Sequence, residues 1–202
     1  ITVAIDNMKK IISIFPSSDD EYRFLSGGEW GAPIVDSQIE EIWNLVQNVD
    51  EKKYQVIVRM HPNMYGLSKK IIHQYLLIER VFEHCSVLLP EDSSSTYTLI
   101  DKSYCVICFC STVSVEANYL RKYVINIGGT PYYNLPISNY VDSGVNAASL
   151  INNNKLKNKS RRASIIWMNY LWKYSDKNQY INSSEIKMAD RGKEFRIKVV
   201  KP

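Results

Sequence analysis

The sequence predicts an α/β protein with a doubly wound, mostly parallel sheet of the Rossmann-like type. Short apolar runs rich in β-branched residues alternate with amphipathic stretches, and each run ends at proline, glycine or small polar residues. The run at 104–110 is so continuously apolar that it fits a strand buried on both faces. Strands and helices that alternate at this spacing form parallel βαβ units with right-handed crossovers.

The element boundaries follow from proline, from capping residues and from the period of the apolar positions. Pro16 and Pro62 close the first two strands, because proline disfavours continuation and biases the residue before it to extended geometry. Apolar residues recur every three or four positions after Ser37, which is typical of a capped amphipathic helix. The predicted strands are 10–16, 54–60, 86–90, 104–110, 124–127 and, weakly, 195–200. The predicted helices are 37–48, 67–81, 96–102, 112–121, 145–151 and 164–172.

The composition changes after residue 135. A short helical segment is followed by the polar run 152–155, which is typical of a surface loop, and then by an aromatic helix. We therefore predict a Rossmann-like domain at 1–138 and a helical and loop extension at 139–202, packed on that domain or on a missing one. Because the chain starts with Ile1 rather than methionine, just before the first strand, we expect an upstream part of the protein to be missing.

Charge and hydropathy argue against several classes of function. The net charge of +4 comes from 25 basic and 21 acidic residues mixed along the chain, which argues against a nucleic-acid partner. No apolar run approaches the roughly 18 residues of a spanning helix, and no signal sequence precedes the first strand. We expect a cytoplasmic protein. The helix with Trp167 and Trp172 could contact a membrane surface, although packing against the sheet or a missing domain is the simpler explanation.

The cysteines and the remaining histidines point to no metal or dinucleotide site. Cys105 and Cys108 have the spacing of a metal-binding pair, but a strand sends them to opposite faces, so we interpret them as small buried thiols. His73 and His84 lie in a predicted helix and at its end, and we interpret both as structural. The glycine pair at 128–129 lacks the spacing of a dinucleotide fingerprint, which argues against NAD.

Candidate site residues lie at the carboxyl ends of the predicted strands, where open parallel sheets bind their ligands. The three places that qualify are residues 16–20, His61 with Pro62, and residues 111–116. Ser111 and Thr112 lie between a buried strand and a helix, so their hydroxyls, the backbone N–H groups and the helix dipole could hold an anion. This arrangement is a phosphate site in principle.

Three further residues could serve the same ligand, and each candidate has a structural alternative. His61 could donate to a phosphate, Glu116 could accept hydrogen bonds from ribose hydroxyls, and Arg59 would share the face of His61 on the strand. Alternatively, Ser111 caps the helix and His61 is bound by backbone carbonyls. Glu116 could likewise be an ordinary solvated side chain, and Arg59 could pair with a helix carboxylate.

Four motifs resemble a known family. They are residues 58–62 (VRMHP), 97–101 (YTLID), 111–117 (STVSVEA) and 123–133 (YVINIGGTPYY). Their order and spacing, over roughly residues 10–136, resemble the carboxyl-terminal donor-binding domain of capsule and O-antigen polysaccharide glycosyltransferases. These enzymes have the GT-B arrangement, in which two Rossmann-like domains face each other across a cleft. The pattern is closest to that of bacterial Kdo transferases and, more distantly, of sialyltransferases, which use CMP-activated donors.

The resemblance implies roles for the candidate residues. His61, followed by Pro62, would contact the donor phosphate, Ser111 and Thr112 would also grip it, and Glu116 would lie against the nucleotide. Arg59 would add positive charge. No metal or other cofactor is expected, and the acceptor would be a glycan or a lipid-linked glycan at the inner face of the cytoplasmic membrane. Family members carry the general base in an amino-terminal domain that this chain lacks, so we expect the chain to be incomplete for catalysis.

Other functions remain open from the sequence. A polyol-phosphate transferase or a UDP-sugar epimerase could use the same scaffold, since related motifs occur in both. A binding or assembly module, in which a degenerate nucleotide fold docks a partner, belongs to another class. The preferred nucleotide, or the absence of nucleotide binding, would distinguish these alternatives.

Overall fold

The computed structural model describes residues 2–18, 35–64 and 69–174. These residues form one six-stranded sheet in which neighbouring strands are all parallel, in the order β3-β2-β1-β4-β5-β6. The strands are β1 (Lys10–Phe15), β2 (Tyr54–Arg59), β3 (Cys85–Leu88), β4 (Ser103–Cys108), β5 (Tyr123–Ile127) and β6 (Asn139–Val141). The α-helices are α1 (Gln38–Asn48), α2 (Lys69–Val81), α3 (Thr96–Lys102), α4 (Val113–Tyr119), α5 (Gly144–Asn152) and α6 (Arg161–Tyr174). A 3-10 helix at Pro62–Met64 follows β2.

The predicted fold class is confirmed, and each strand predicted between residues 10 and 127 lies within two residues of its expected bounds. The strand β6 was not predicted, because three residues that begin with a buried asparagine carry too little apolar pattern. The sheet therefore continues past residue 138, where the sequence analysis ended the Rossmann-like domain. The strand predicted at 195–200 lies outside the described residues.

Helices cover both faces of the sheet, and each face has its own apolar cluster. On one face the side chains of α1, α2 and α5 pack on Ile12, Ile14 and their neighbours in the sheet. On the other face α3 and α4 pack on Ile11, Phe15 and Val106. The central strands are buried on both faces, which explains why their sequences read as continuous apolar runs rather than alternating ones.

Helices α1 and α5 approach each other so closely that only glycine fits at the start of α5. A Cβ atom on Gly144 would lie 2.0 Å from the Glu41 carbonyl oxygen and 2.8 Å from the Leu45 backbone nitrogen. The Glu41 carboxylate also accepts a hydrogen bond from the Gly144 backbone N–H at 2.6 Å. At the other end of the pair, the Asn152 amide donates to the Asn48 carbonyl at 2.8 Å. The two helices are therefore fixed at both ends.

Helix α6 extends beyond the compact unit that contains the sheet. Residues up to Trp167 belong to that unit, and the described residues 168–174 do not. Within the first unit, the Asn118 side chain donates to the Ser160 carbonyl at 2.9 Å and to the Ser164 hydroxyl at 2.7 Å, which joins α4 to the beginning of α6. In the part of the chain that the structure describes, no helix has the length and apolarity needed to cross a membrane.

We expect Gly144→Ala to lower the free energy of unfolding by about 2 kcal/mol or more, because the new methyl group would force the backbones of α1 and α5 apart. Thermal or urea unfolding would measure the change. Val145→Ala, at a half-exposed position on the same helix, is the matched control and should have little effect. An alanine at position 144 that left the stability unchanged would contradict the close helix pairing.

Candidate functional site

The three predicted site regions lie at the ends of three adjacent strands. Residues 16–18 follow β1, His61 follows β2, and Ser111 follows β4 by two residues, with β1 between β2 and β4 in the sheet. Because neighbouring strands are spaced by about 4.8 Å, the ends of β2 and β4 are about 10 Å apart. The strand order also reverses between β1 and β4, which is where doubly wound sheets open a ligand crevice.

A buried serine joins the loops after β1 and β4. The Ser17 hydroxyl donates to the Phe109 carbonyl at 2.7 Å, and the Ser17 backbone exchanges two hydrogen bonds with the Gln38 side chain at 3.0 and 3.1 Å. Ser17 and Ser18 are both buried. The loop after β1 is therefore fixed against α1 and against the loop after β4. These contacts of Ser17 and Gln38 were not predicted. Asp19 and Asp20, also in the predicted region, lie outside the described residues.

The loop after β4 is held in one conformation by two hydroxyl groups. The Ser111 carbonyl accepts hydrogen bonds from the Ser114 hydroxyl at 2.9 Å and from the Tyr132 hydroxyl at 2.7 Å. These two hydroxyl oxygens lie 2.5 Å apart, and Ser114 and Tyr132 are buried. Burial raises the pKa of Tyr132 well above its usual value, so its hydroxyl remains a donor. This clamp was also not predicted.

Ser111 and Thr112 present donors to the crevice in different ways. The Ser111 hydroxyl accepts from the Val113 backbone N–H at 3.3 Å, directly before α4, whose N-cap residue is Thr112. Thr112 is exposed, and its side chain makes no capping hydrogen bond. Among the described residues, the backbone N–H groups of Ser111 and Thr112 have no protein acceptor. Two amides and a threonine hydroxyl are thus available at the end of β4.

Cys110 gives this loop its shape. Its φ of 53° lies in the left-handed region that non-glycine residues rarely adopt. The left-handed residue bends the chain between β4 and α4 directly before the two amides. A strained residue beside a candidate site is a recurrent feature of ligand-binding loops.

His61 and Arg59 end in different environments. His61 is half-buried at the start of the 3-10 helix, and its carbonyl accepts from the Met64 backbone N–H at 2.9 Å. Arg59 is buried, and its guanidinium donates to the Leu89 and Asp92 carbonyls at 2.8 and 2.9 Å. Arg59 thus holds the loop after β3, and it forms no ion pair with a helix carboxylate among the residues that the structure describes. A contact between Arg59 and a nucleotide stays a prediction.

Asp92, beside that arginine, is held by hydrogen bonds from Ser94 and Thr2. Burial would raise the pKa of Asp92, but hydrogen bonds with Ser94 and Thr2 and the charge of Arg59 lower it on balance. The Asp92 carboxylate accepts from the Ser94 backbone N–H at 2.7 Å and from the Thr2 hydroxyl at 2.5 Å. The loop after β3 is therefore a hydrogen-bonded support for the edge of the crevice next to His61.

Glu116 is a residue of α4 that lies next to Tyr97 of α3. It is half-buried, and its hydrogen bond with the Tyr97 hydroxyl raises the pKa of that tyrosine. Tyr97 is 61% exposed in the first turn of α3, so an aromatic ring stands open to solvent beside the carboxylate. Tyr97 belongs to one of the four motifs, but no role in the site was predicted for it.

The four cysteines are buried thiols, as predicted. Cys105 and Cys108 belong to the clusters on opposite faces of the sheet. Burial raises the pKa of Cys85 to about 12, and it raises the pKa of Cys105 and Cys108 as well. Over the described ranges, no three histidine, cysteine or acidic side chains lie close enough together to hold a metal ion.

The comparisons with known proteins identify the family. A family model described as "Capsule polysaccharide biosynthesis protein" matches residues 21–140, which is more than half of the chain. The chain belongs to this family. The matched span includes the strand ends that carry His61, Ser111 and Thr112, and the resemblance stated from the motifs is confirmed at this level. No curated protein matches the sequence.

Solved structures support the fold. A putative UDP-N-acetylglucosamine 2-epimerase from Listeria monocytogenes is similar to the chain with a TM-score of 0.55 and 13% identity, over 86% of this chain and 47% of that one. The wall teichoic acid polymerase TagF gives a TM-score of 0.52 and 15% identity, over 82% and 39%. The beta Kdo 2,7 transferase KpsC of Thermosulfurimonas dismutans gives 0.47 and 18%, over 70% and 42%. The first two of these matches, with the sheet topology, show a Rossmann-like domain of the GT-B type. The chain spans less than half of each of the three proteins.

We expect Tyr132→Phe to lower the free energy of unfolding by about 1 to 2 kcal/mol, because the part-buried Ser111 carbonyl loses the hydrogen bond that the Tyr132 hydroxyl donates to it. Hydrogen exchange of the Ser114 and Val115 amides should become faster than in the wild type. Tyr119→Phe, which changes a half-exposed ring on α4, is the control. Unchanged exchange in Tyr132→Phe would mean that the clamp does not hold this loop.

Proposed function

We propose that the chain is the donor-binding half of a bacterial glycosyltransferase of capsule polysaccharide biosynthesis. The donor would be a CMP-activated sugar, Kdo or a related acid. Family membership supports the capsule assignment. The CMP and Kdo assignments rest on the motif pattern around His61 and Ser111.

One structural observation carries the proposal. Groups that can donate hydrogen bonds belong to residues that follow the carboxyl ends of β2 and β4, on either side of β1, at the point where the strand order reverses. They are the His61 ring at the end of β2 and the amides of Ser111 and Thr112 with the Thr112 hydroxyl beyond β4. The span of about 10 Å between these ends suits a nucleoside phosphate, with the phosphate between the donors and the sugar of the nucleoside toward Glu116.

The mechanism follows from where charge develops. When the glycosidic bond to the phosphate breaks, CMP leaves and negative charge grows on its phosphate oxygens. Donors that are fixed before the reaction stabilise that charge without reorganisation, and each such donor typically contributes about a hundredfold to a thousandfold in turnover. The Ser111 carbonyl clamp keeps the two amides in place, so the loop need not order itself when the donor binds. We propose that these donors act without a metal ion or cofactor.

The remaining components would come from outside the described residues. The general base, an aspartate or glutamate, would belong to an amino-terminal GT-B domain, as in the family. The acceptor would be a glycan or lipid-linked glycan of capsule, O-antigen or lipopolysaccharide synthesis. The sugar transfer would take place in the cytoplasm, at the inner face of the membrane. The protein would contact the membrane peripherally and would bind no nucleic acid.

Calorimetric titration of this chain with CMP, CDP and UDP tests the donor assignment. We expect CMP to bind more tightly than CDP or UDP, and His61→Ala and Thr112→Ala to weaken CMP binding about tenfold to a hundredfold, as expected for lost hydrogen bonds to a charged ligand. His73→Ala is the matched control, because His73 is exposed on α2 and its removal should leave the affinity unchanged. Chelator in one series tests whether a metal contributes.

The other outcomes separate the alternatives. Preference for CDP would indicate a polyol-phosphate transferase, and preference for UDP would indicate a UDP-sugar enzyme on the same scaffold. No affinity for any of the three would favour a binding module without nucleotide chemistry. Equal CMP affinity in His61→Ala, with the fold intact by circular dichroism, would remove His61 from the site.

A further inference from the structure

An open groove of about 470 Å³ lies beside the edge strand β6 and helix α5, away from the β1 and β4 ends. Its volume falls within the roughly 300–1,000 Å³ that is usual for small-molecule sites. Two aromatic rings and several polar side chains line it. The residues that matter for its chemistry are Tyr133, Tyr140, Asp142, Asn146, Ser149 and Lys155.

The aromatic part of the groove is held rigidly. The rings of Tyr133 and Tyr140 meet edge to face, with centroids 4.5 Å apart. The Tyr140 hydroxyl lies 3.0 Å from the Thr130 hydroxyl and donates to the Tyr132 carbonyl at 3.2 Å. Both rings are half-buried, so each keeps part of its surface open. A ligand would meet a preformed aromatic surface, and little ordering would accompany binding.

The polar part of the groove combines an anion, an amide, a hydroxyl and a cation. The Asn146 amide donates to the Asp142 carboxylate at 2.6 Å, and this bond is the largest influence that lowers the pKa of Asp142. Just after the end of α5, Asn154 has a φ of 52°, and the Lys155 backbone N–H donates to the Leu150 carbonyl at 2.9 Å. This turn brings Lys155 to the groove. Acceptors and donors therefore line the groove together with the aromatic rings.

We infer that this groove binds carbohydrate, as a site for the growing glycan separate from the donor crevice. Aromatic rings pack against the C–H faces of pyranose rings, and side-chain carboxylate, amide and ammonium groups pair with the hydroxyls around the ring edge. The groove offers both kinds of contact side by side. That the glycan is the acceptor of the transfer rests on the proposed function; that the groove binds sugar does not.

The groove is connected to the donor crevice by a chain of hydrogen bonds. The Tyr140 hydroxyl donates to the Tyr132 carbonyl, and the Tyr132 hydroxyl donates to the Ser111 carbonyl. In the sheet, β6 is two strands from β4, which is about 10 Å. A glycan held in the groove would thus lie within a few sugar lengths of the site that carries Ser111.

A glycan array of bacterial capsular and O-antigen saccharides, probed with the complete chain, tests the inference. We expect the wild type to bind a defined subset of the array. Ser149→Trp should abolish that binding, because the indole would fill the groove from an exposed position on α5. Val145→Trp is the matched control: it adds the same side chain at an exposed position of the same helix outside the groove lining, and it should bind like the wild type.

Asn146→Ala should weaken binding of the captured glycans by about tenfold, the order expected for one or two lost hydrogen bonds. Calorimetry with CMP on the same variants separates the two sites, because substitutions in the groove should leave the CMP affinity unchanged. If the chain binds glycans but not CMP, the result would support the carbohydrate site in the groove and contradict the assignment of a CMP-sugar donor. The inference is overturned if the wild type captures no glycan, or if Ser149→Trp captures the same ones.

Discussion

Parallel pairing of β1 with β4 is the interaction on which the rest of the structure depends. These strands are neighbours in space although nearly ninety residues separate them in sequence, and their pairing joins the β3-β2-β1 half to the β4-β5-β6 half. Parallel strands pair only when a crossover returns the chain to the same end of the sheet. All six strands therefore end at one edge, and the ligand crevice opens where the two halves diverge.

Polar groups as well as apolar burial hold this pairing in register. The Ser13 and Ser103 hydroxyl oxygens lie 2.6 Å apart inside an otherwise apolar core, and Ser103 also donates to the Leu99 carbonyl at 2.6 Å. Toward the carboxyl end, Ser17 bonds to the Phe109 carbonyl. A shift by one residue would separate the Ser13 hydroxyl from Ser103 and the Ser17 hydroxyl from the Phe109 carbonyl, and a buried hydroxyl without a partner costs more free energy than its hydrogen bond contributes. Buried serines at both ends thus favour one alignment, and with it one geometry of the crevice.

Sequence patterns were informative wherever the signal is local. Continuous apolar runs located the inner strands, and the rule that parallel strands end at one edge predicted that His61 and Ser111 follow strand ends at the same edge. The clamp by Tyr132, the partners of Arg59 and the contact at Gly144 join residues 21 to 103 positions apart. Nothing in the neighbouring sequence marks such pairs, because the same residue types serve equally well as surface groups. The strand β6 was too short to show a period.

A crystal structure of this chain with CMP tests the central claim most directly. We predict that the phosphate lies at the carboxyl ends of β1 and β4, within hydrogen-bond distance of the Ser111 and Thr112 amides and of the His61 ring. The ribose should lie toward Glu116. CMP bound at the amino-terminal edge of the sheet or in the groove beside β6, with the crevice free of it, would contradict the account.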